Sequence, residues 1–187
     1  MRKILLVEDD RITSRLIQKY IVDIGYSVAG AVSSGEEASE LIESMEPDLV
    51  LMDINLEGKL DGIESAKSIN SRFSLPFVYI TSSSDYSTIE RAKEGNAYGY
   101  IIKPFDKRDL RATIEMALLR HEMEMRIRED ENRMSTILNS IIDAVLVVDG
   151  NGSVSYVNAA SLRMLQRECE DLIGKPVVDV VKIGSSA

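Results

Sequence analysis

Short apolar runs that end in acidic or turn-forming residues punctuate the first hundred positions. Leu49-Val50-Leu51-Met52 leads directly into Asp53, and the turn formers Asn55, Gly58 and Asp61-Gly62 follow. A continuous apolar run this short, bounded by turns, predicts a strand buried on both faces of a parallel sheet, with Asp53 at its carboxyl end. Ile4–Val7 repeats the pattern and ends in Glu8-Asp9-Asp10. Tyr26–Val32, Pro76–Thr81 and Ala97–Ile102 are three further candidate strands. Between them the spacing turns helical. In Arg11–Ile24 the residues Ile12, Leu16, Ile17, Tyr20, Ile21 and Ile24 share one stripe, and Gly25 closes the segment. Ser34–Met45 follows, with Ala38, Leu41, Ile42 and Met45 inward, then Gly62–Phe73 and Asp85–Gly95. Strands alternating with helices in this way predict right-handed βαβ units, hence an α/β fold with a doubly wound, five-stranded parallel sheet.

The helix that begins near Asp106 does not stop where a domain-closing helix should. No Gly or Pro interrupts Lys107 to Asn139, a span much longer than an average helix. Leu110, Ile114, Ala117 and Leu118 would face the sheet, whereas Arg120 to Arg133 is mostly charged. Through that charged stretch Met116, Leu119, Met123, Ile127, Asp130, Met134, Ile137 and Ile141 recur at steps of three and four. The stripe predicts a coiled-coil seam with one stutter near Ile127, and a homodimer through this helix. His121 is expected to be an exposed linker residue, since no phosphoacceptor-histidine pattern surrounds it.

After Asn139 the texture changes. Ala144–Asp149 and Val154–Val157 read as strands joined by a Gly150-Asn151-Gly152 turn, and Asn158 caps a short helix to Leu165. The expected division is therefore residues 1–120, a helical linker over 121–136, and the start of a smaller α+β unit over 137–187.

Bulk properties narrow the function. The chain has 187 residues, 44% of them hydrophobic, enough for one full domain and part of a second. A net charge of -9 argues against a nucleic-acid partner. The one cysteine, Cys169, fits a reducing compartment. Neither a signal-peptide core nor a membrane span is legible, so the expectation is a cytoplasmic protein away from membranes.

Candidate chemistry gathers where the strands end. Glu8, Asp9, Asp53, Thr81 and Lys103 each close a predicted strand, on the sheet edge where open α/β folds place their ligands. Clustered carboxylates repel and need a cation. Mg²⁺ suits them, because it takes oxygen ligands and is commonly held by one or two carboxylates plus a phosphate. Asp53 could then attack a phosphoryl group as a carboxylate nucleophile, with Lys103 and the metal neutralising the transferring oxygens and Thr81 donating a hydroxyl. Asp10 reads as a helix N-cap.

Four separated motifs, Val7-Glu8-Asp9-Asp10, Leu51-Met52-Asp53, Ile80-Thr81-Ser82 and Tyr100-Ile101-Ile102-Lys103-Pro104-Phe105, resemble the receiver domain of two-component response regulators, with its flavodoxin-like fold. The resemblance implies that Asp53 is the phosphoacceptor, and that Glu8, Asp9, Asp53 and the backbone carbonyl of Asn55 bind Mg²⁺. It implies that Lys103 pairs with the phosphoryl group beside a cis Lys103-Pro104 bond, and that Thr81 and Tyr100 form the switch pair. It also implies a histidine kinase or phosphotransfer protein as donor, and no catalysis beyond the receiver's own phosphotransfer and dephosphorylation. Glu57 replaces a common proline, and Gly58-Lys59-Leu60 lengthens the loop. The tail is similar to the start of a PAS domain in Ile141-Ile142-Asp143-Ala144, Val147-Val148-Asp149, Tyr156-Val157-Asn158 and Leu172-Ile173-Gly174-Lys175. Cys169 lies away from the motif of flavin-photosensing relatives.

Other classes fit less well. A docking and dimerisation module in a multidomain sensor or hybrid kinase has no reason to bear the acidic repulsion. A flavodoxin-like redox protein needs a phosphate-cradling loop where Glu8-Asp9-Asp10 stands. A haloacid-dehalogenase-type phosphatase carries a second aspartate where Asn55 lies.

Overall fold

The computed structural model describes residues 1–56, 60–82 and 97–181. Two compact units divide the chain, Met1–Glu124 and Met125–Ala187. The helix expected over Asp85–Gly95 and the loop residues Glu57, Gly58 and Lys59 lie outside the described residues.

In the first unit five strands, β1 (Lys3–Val7), β2 (Ser27–Val32), β3 (Leu49–Asp53), β4 (Phe77–Thr81) and β5 (Ala97–Ile102), form a single sheet. Its order is β2-β1-β3-β4-β5, and every neighbouring pair is parallel. The apolar runs are continuous because successive residues serve opposite faces. Ile4, Leu6, Leu49, Leu51, Val78 and Ile80 pack on one side with Ile17 and Ile21 of α1 (Arg11–Asp23) and Leu110, Ile114 and Leu118 of the long helix. Leu5, Val7, Val50, Met52, Phe77 and Tyr79 pack on the other with Ile42 of α2 (Gly35–Met45) and Ile63 of α3 (Gly62–Asn70). The strand order reverses between β1 and β3, which opens a crevice at the carboxyl ends of those two strands.

Helix starts follow local side-chain chemistry. Asp10 accepts from the Ile12 amide, Ser34 from that of Glu37, and Asp61 forms a capping box with Glu64. One stripe is rotated from its expected position. Ile12 is 80% and Leu16 47% exposed, whereas Ser14, Ile17 and Ile21 face the sheet. Ile12 lies nine residues from Ile21, about half a turn around the helix, so both cannot point inward.

Helix α4 runs unbroken over Lys107–Ser140. In the second unit β6 (Leu146–Val148) pairs antiparallel with β7 (Val154–Val157). Asp149 organises the turn by accepting from the Asn151 and Ser153 amides, and Gly152 supplies the positive φ of 80°. Helix α5 (Ala159–Leu165), a 3-10 turn at Cys169–Asp171 and α6 (Val177–Val180) follow. Val154, Val157, Leu172 and Val180 form a small core.

Asn158 is fully buried and joins these pieces. Its Oδ1 accepts from the Val145 and Ser161 amides and from the Ser161 hydroxyl, at 2.9–3.0 Å. Its Nδ2 donates to the carbonyls of Leu138 at 3.1 Å and Asp143 at 3.0 Å. Leu138 is in the last turn of α4, where carbonyls lack intrahelical partners.

Candidate functional site

The crevice between β1 and β3 collects the charged residues that end those strands. Asp53 is the last residue of β3, and Glu8 and Asp9 follow β1 directly. One carboxylate oxygen from each lies within 4.8 Å of the others. Lys103, just beyond β5, reaches across with Nζ 2.6 Å from Asp53 Oδ2 and 2.8 Å from Glu8 Oε2. The Lys103-Pro104 peptide is cis, as the resemblance implied.

Burial sets the electrostatics. The Glu8 and Asp53 side chains are almost inaccessible, and Lys103 retains a minor exposed fraction. Burial, reinforced by the adjacent Asp53 charge, pushes Glu8 up to about 7 despite the hydrogen bonds from Lys103. For Lys103 burial works against the charge. Hydrogen bonds and charges from Asp53 and Glu8 outweigh it and hold the ammonium above the ordinary lysine value.

The backbone around Asp53 is tightly held. The Asn55 amide donates to Asp53 Oδ1 at 2.9 Å, and the Asn55 side chain donates to the Ser82 hydroxyl at 3.2 Å. Gly62 opens α3 directly against the Asp53 carbonyl, where a Cβ would collide with backbone. Ser82 and Gly62 were not legible as site residues. Both act through folded proximity, and only the Asp61-Gly62 turn signal hinted at the second.

Thr81 is buried at the end of β4, and its carbonyl accepts from the Lys103 amide at 2.7 Å. Tyr100 on neighbouring β5 is 48% exposed and borders a groove of about 320 Å³ that includes Ile102, Phe105 and Thr113. An open cleft of about 360 Å³ extends from Glu8 and Asp9 past Arg11 and Arg15 to Glu37.

His121 is not the exposed linker residue expected. It is half-buried, its ring edge-on to Tyr98 at 5.4 Å and its Nδ1 3.2 Å from the Tyr98 hydroxyl. That hydroxyl donates to Glu124 at 2.6 Å, and Arg120 stacks over the ring at 5.0 Å. The reason is helical phase: His121 lies three and four residues beyond the inward-facing Leu118 and Ala117.

The acidic set fits a hard divalent cation. All donors are oxygens, three carboxylates converge, and the Lys103 ammonium already shares two of them. Mg²⁺ is therefore compatible with Glu8, Asp9 and Asp53 as ligands, with the Asn55 carbonyl next in the chain.

Among the described residues no helix is long and apolar enough to cross a membrane. Comparison with known proteins matches residues 4–115 to the response regulator receiver domain and residues 132–187 to the PAS fold. The chain is similar to the transcriptional regulatory protein PdtaR of Mycobacterium tuberculosis, 36% identical over 119 residues that make up 64% of this chain and 58% of that relative. It thus spans about three-fifths of the relative's length. Among solved structures it is similar to the receiver domain of a modulated diguanylate cyclase from Desulfovibrio desulfuricans, 38% identical with TM-score 0.63, covering 66% of this chain and 98% of the other. It is also similar to the N-terminal domain of a response regulator/sensory box/GGDEF protein from Carboxydothermus hydrogenoformans, 32% identical with TM-score 0.60, covering 66% and 99%.

Proposed function

Because the chain belongs to the response regulator receiver family, with a PAS fold following the receiver, we propose that it is a phosphorylation-switched element of a two-component system. Asp53 is the acceptor and a partner histidine kinase, or a phosphotransfer protein, is the donor. The observation that carries this reading is the Lys103 ammonium bridging the buried carboxylates of Asp53 and Glu8, with Asp9 beside them.

The chemistry follows from that arrangement. An Asp53 carboxylate oxygen attacks the phosphorus of the donor. The new bond makes an acyl phosphate, and the old bond leaves with the donor's nitrogen or oxygen carrying its electron pair. Lys103, already within reach of Asp53, follows the charge onto the phosphoryl oxygens. Glu8, Asp9, Asp53 and the Asn55 carbonyl would hold Mg²⁺, which when bound would add positive charge beside those oxygens. The Thr81 hydroxyl donates to the phosphoryl group, and the outward Tyr100 turns in behind it. Helix α4 carries the change towards the PAS fold, and pairs with its counterpart in a second copy. The receiver-then-sensor order resembles that named for the Carboxydothermus protein.

The test is intact mass after incubation with Mg²⁺ and a small acyl phosphate donor. Wild type gains one phosphoryl group and Asp53→Asn gains none. A gain in both variants, or in neither, would refute the assignment and favour a docking module.

A further inference from the structure

A cluster of titratable side chains lies near the amino edge of the sheet, away from the acidic crevice. It starts from a break in the β4–β5 ladder. Phe77 pairs with Ala97 and Val78 with Gly99, so β5 carries one extra residue, Tyr98. A bulge of this kind re-aims the side chain it releases. Ala97 packs with the cluster around Phe77 and Tyr79, whereas Tyr98 packs on the opposite face with the cluster that includes Ala117 and Leu118. Gly99 permits the close approach, because a Cβ there would lie 2.8 Å from Thr113 Cγ2 on α4.

The released tyrosine is held by residues 120–124 of α4, all within the first unit. Its hydroxyl donates to Glu124 Oε2 at 2.6 Å, and Arg120 lies over its ring while donating to Glu124 Oε1 at 2.8 Å. The Tyr98 hydrogen bond, helped by Arg120 and His121, keeps the Glu124 carboxyl below its ordinary value. An ionised carboxylate only accepts, so the one phenol proton is spent on it. His121 Nδ1, 3.2 Å from the same phenol oxygen, must then be the donor in that contact. This fixes neutral His121 as the Nδ1–H tautomer, and Nε2 is the atom that gains a proton on acidification. Protonation there breaks no bond of the chain and adds charge to its first donor, which strengthens it.

Charges around the ring set the size of the effect. Facing His121 are Tyr98 from β5, Arg2 ahead of β1 through its 3.2 Å pair with Glu122, and Arg120, Glu122 and Glu124 on its own helix. The two carboxylates and two guanidiniums balance, so the hydrogen-bond chain decides the direction and the effect is modest. Going beyond the phosphoryl chemistry and independent of it, we infer that Tyr98, His121 and Glu124 form a proton-tightened latch that fixes the last helical turn of the first unit to β5. The latched imidazole binds its proton more tightly than the released one. The extra hold is fully present below the released value, about 6.5 for an ordinary histidine, and is lost as pH rises through the higher latched value.

His121 is the only histidine of the chain, so its ring is a clean probe in the intact 187-residue protein. Nitrogen chemical shifts of the imidazole at about pH 8.5 are expected to show the Nδ1–H tautomer, the minority form of free histidine. Protection of the 121–124 amides, corrected for intrinsic exchange, should rise about threefold from about pH 8.5 to about pH 5.5, the factor that a midpoint shift of about half a unit supplies. Glu124→Gln should lower the His121 midpoint by about that half unit. Tyr98→Phe keeps the ring and should abolish the tautomer preference. His121→Asn keeps a donor that does not titrate and should make protection independent of pH. Circular dichroism confirms that each variant keeps its helix. An Nε2–H tautomer in the wild type, a midpoint unmoved by Glu124→Gln, or pH-dependent protection that persists in His121→Asn would each overturn the latch. These readouts are independent of the phosphoryl mass gain, so either reading can fail alone.

Discussion

The acidic crevice and the outer stripe of α4 invert the usual partition of side chains in opposite ways. In the crevice, Glu8 and Asp53 are ionisable groups taken almost wholly out of water and held by one lysine. On α4, methionines and isoleucines stand in water although a packed face exists on the same helix. Buried ions and exposed apolar stripes are both costly exceptions to that partition. The difference lies in what holds them. The crevice is fixed by strands on either side, so a change there disturbs the fold, whereas the apolar stripe residues from Met116 to Ile137 keep about half or more of their surface in solvent and none belongs to a core cluster of the described residues.

That contrast can be broken by substitution. Lys103→Ala strands two buried carboxylates and should lower the stability of the first unit by about 3 kcal/mol, measured by urea unfolding in Mg²⁺-free buffer. An unchanged midpoint would mean that the ion pair is not structurally required. Gly62→Ala presses a methyl group against the Asp53 carbonyl and should cost about 2 kcal/mol in the same assay, with slower phosphoryl uptake. Loss of uptake at full stability would instead assign Gly62 to the chemistry alone.

Acidity sharpens the contrast further. The Glu8 pKa is raised from 4.5 to about 7, so the folded protein binds a proton there that the unfolded chain gives up earlier. The associated stability is fully present below about pH 4.5 and is lost as pH rises to about 7. Glu8→Gln removes this dependence. Without Mg²⁺ the variant should gain on wild type by about 1–2 kcal/mol between pH 5 and 8, followed as the difference in Tm. A flat difference would place Glu8 in a wetter site. The smallest effect belongs to the stripe. Met123→Gln should change first-unit stability by less than about 0.5 kcal/mol, measured at protein concentrations low enough to keep chains apart. A larger loss would mean that Met123 packs within its own chain.

Much of this was legible in the residues themselves. Runs such as Leu49–Met52 declare strands buried on both faces, and because parallel strands share one carboxyl edge, Glu8, Asp9, Asp53 and Lys103 had to assemble there once the alternation was read. Periodicity is silent on phase, however. It grouped Ile12 with Ile21 although the sheet receives Ser14 in place of Ile12, and it left His121 in solvent although one further turn carries it onto Tyr98. Contacts made by single atoms across long separations were equally hidden. Nothing in Asp61-Gly62 announces the Asp53 carbonyl, and Asn158, read as a helix cap, carries the additional bonds to Leu138 and Asp143.

Those additional bonds have a mechanical consequence. An amide group spans only a short, rigid distance, and this one grips the final turn of a long helix with its nitrogen while its oxygen anchors the first residues of a hairpin and of a helix. Twisting or lifting the helix end at Leu138 cannot be absorbed as slack at such a junction. Val145 and Ser161 are thereby tied to Leu138 through a single side chain, so the end of the rod and the start of the hairpin share one anchor.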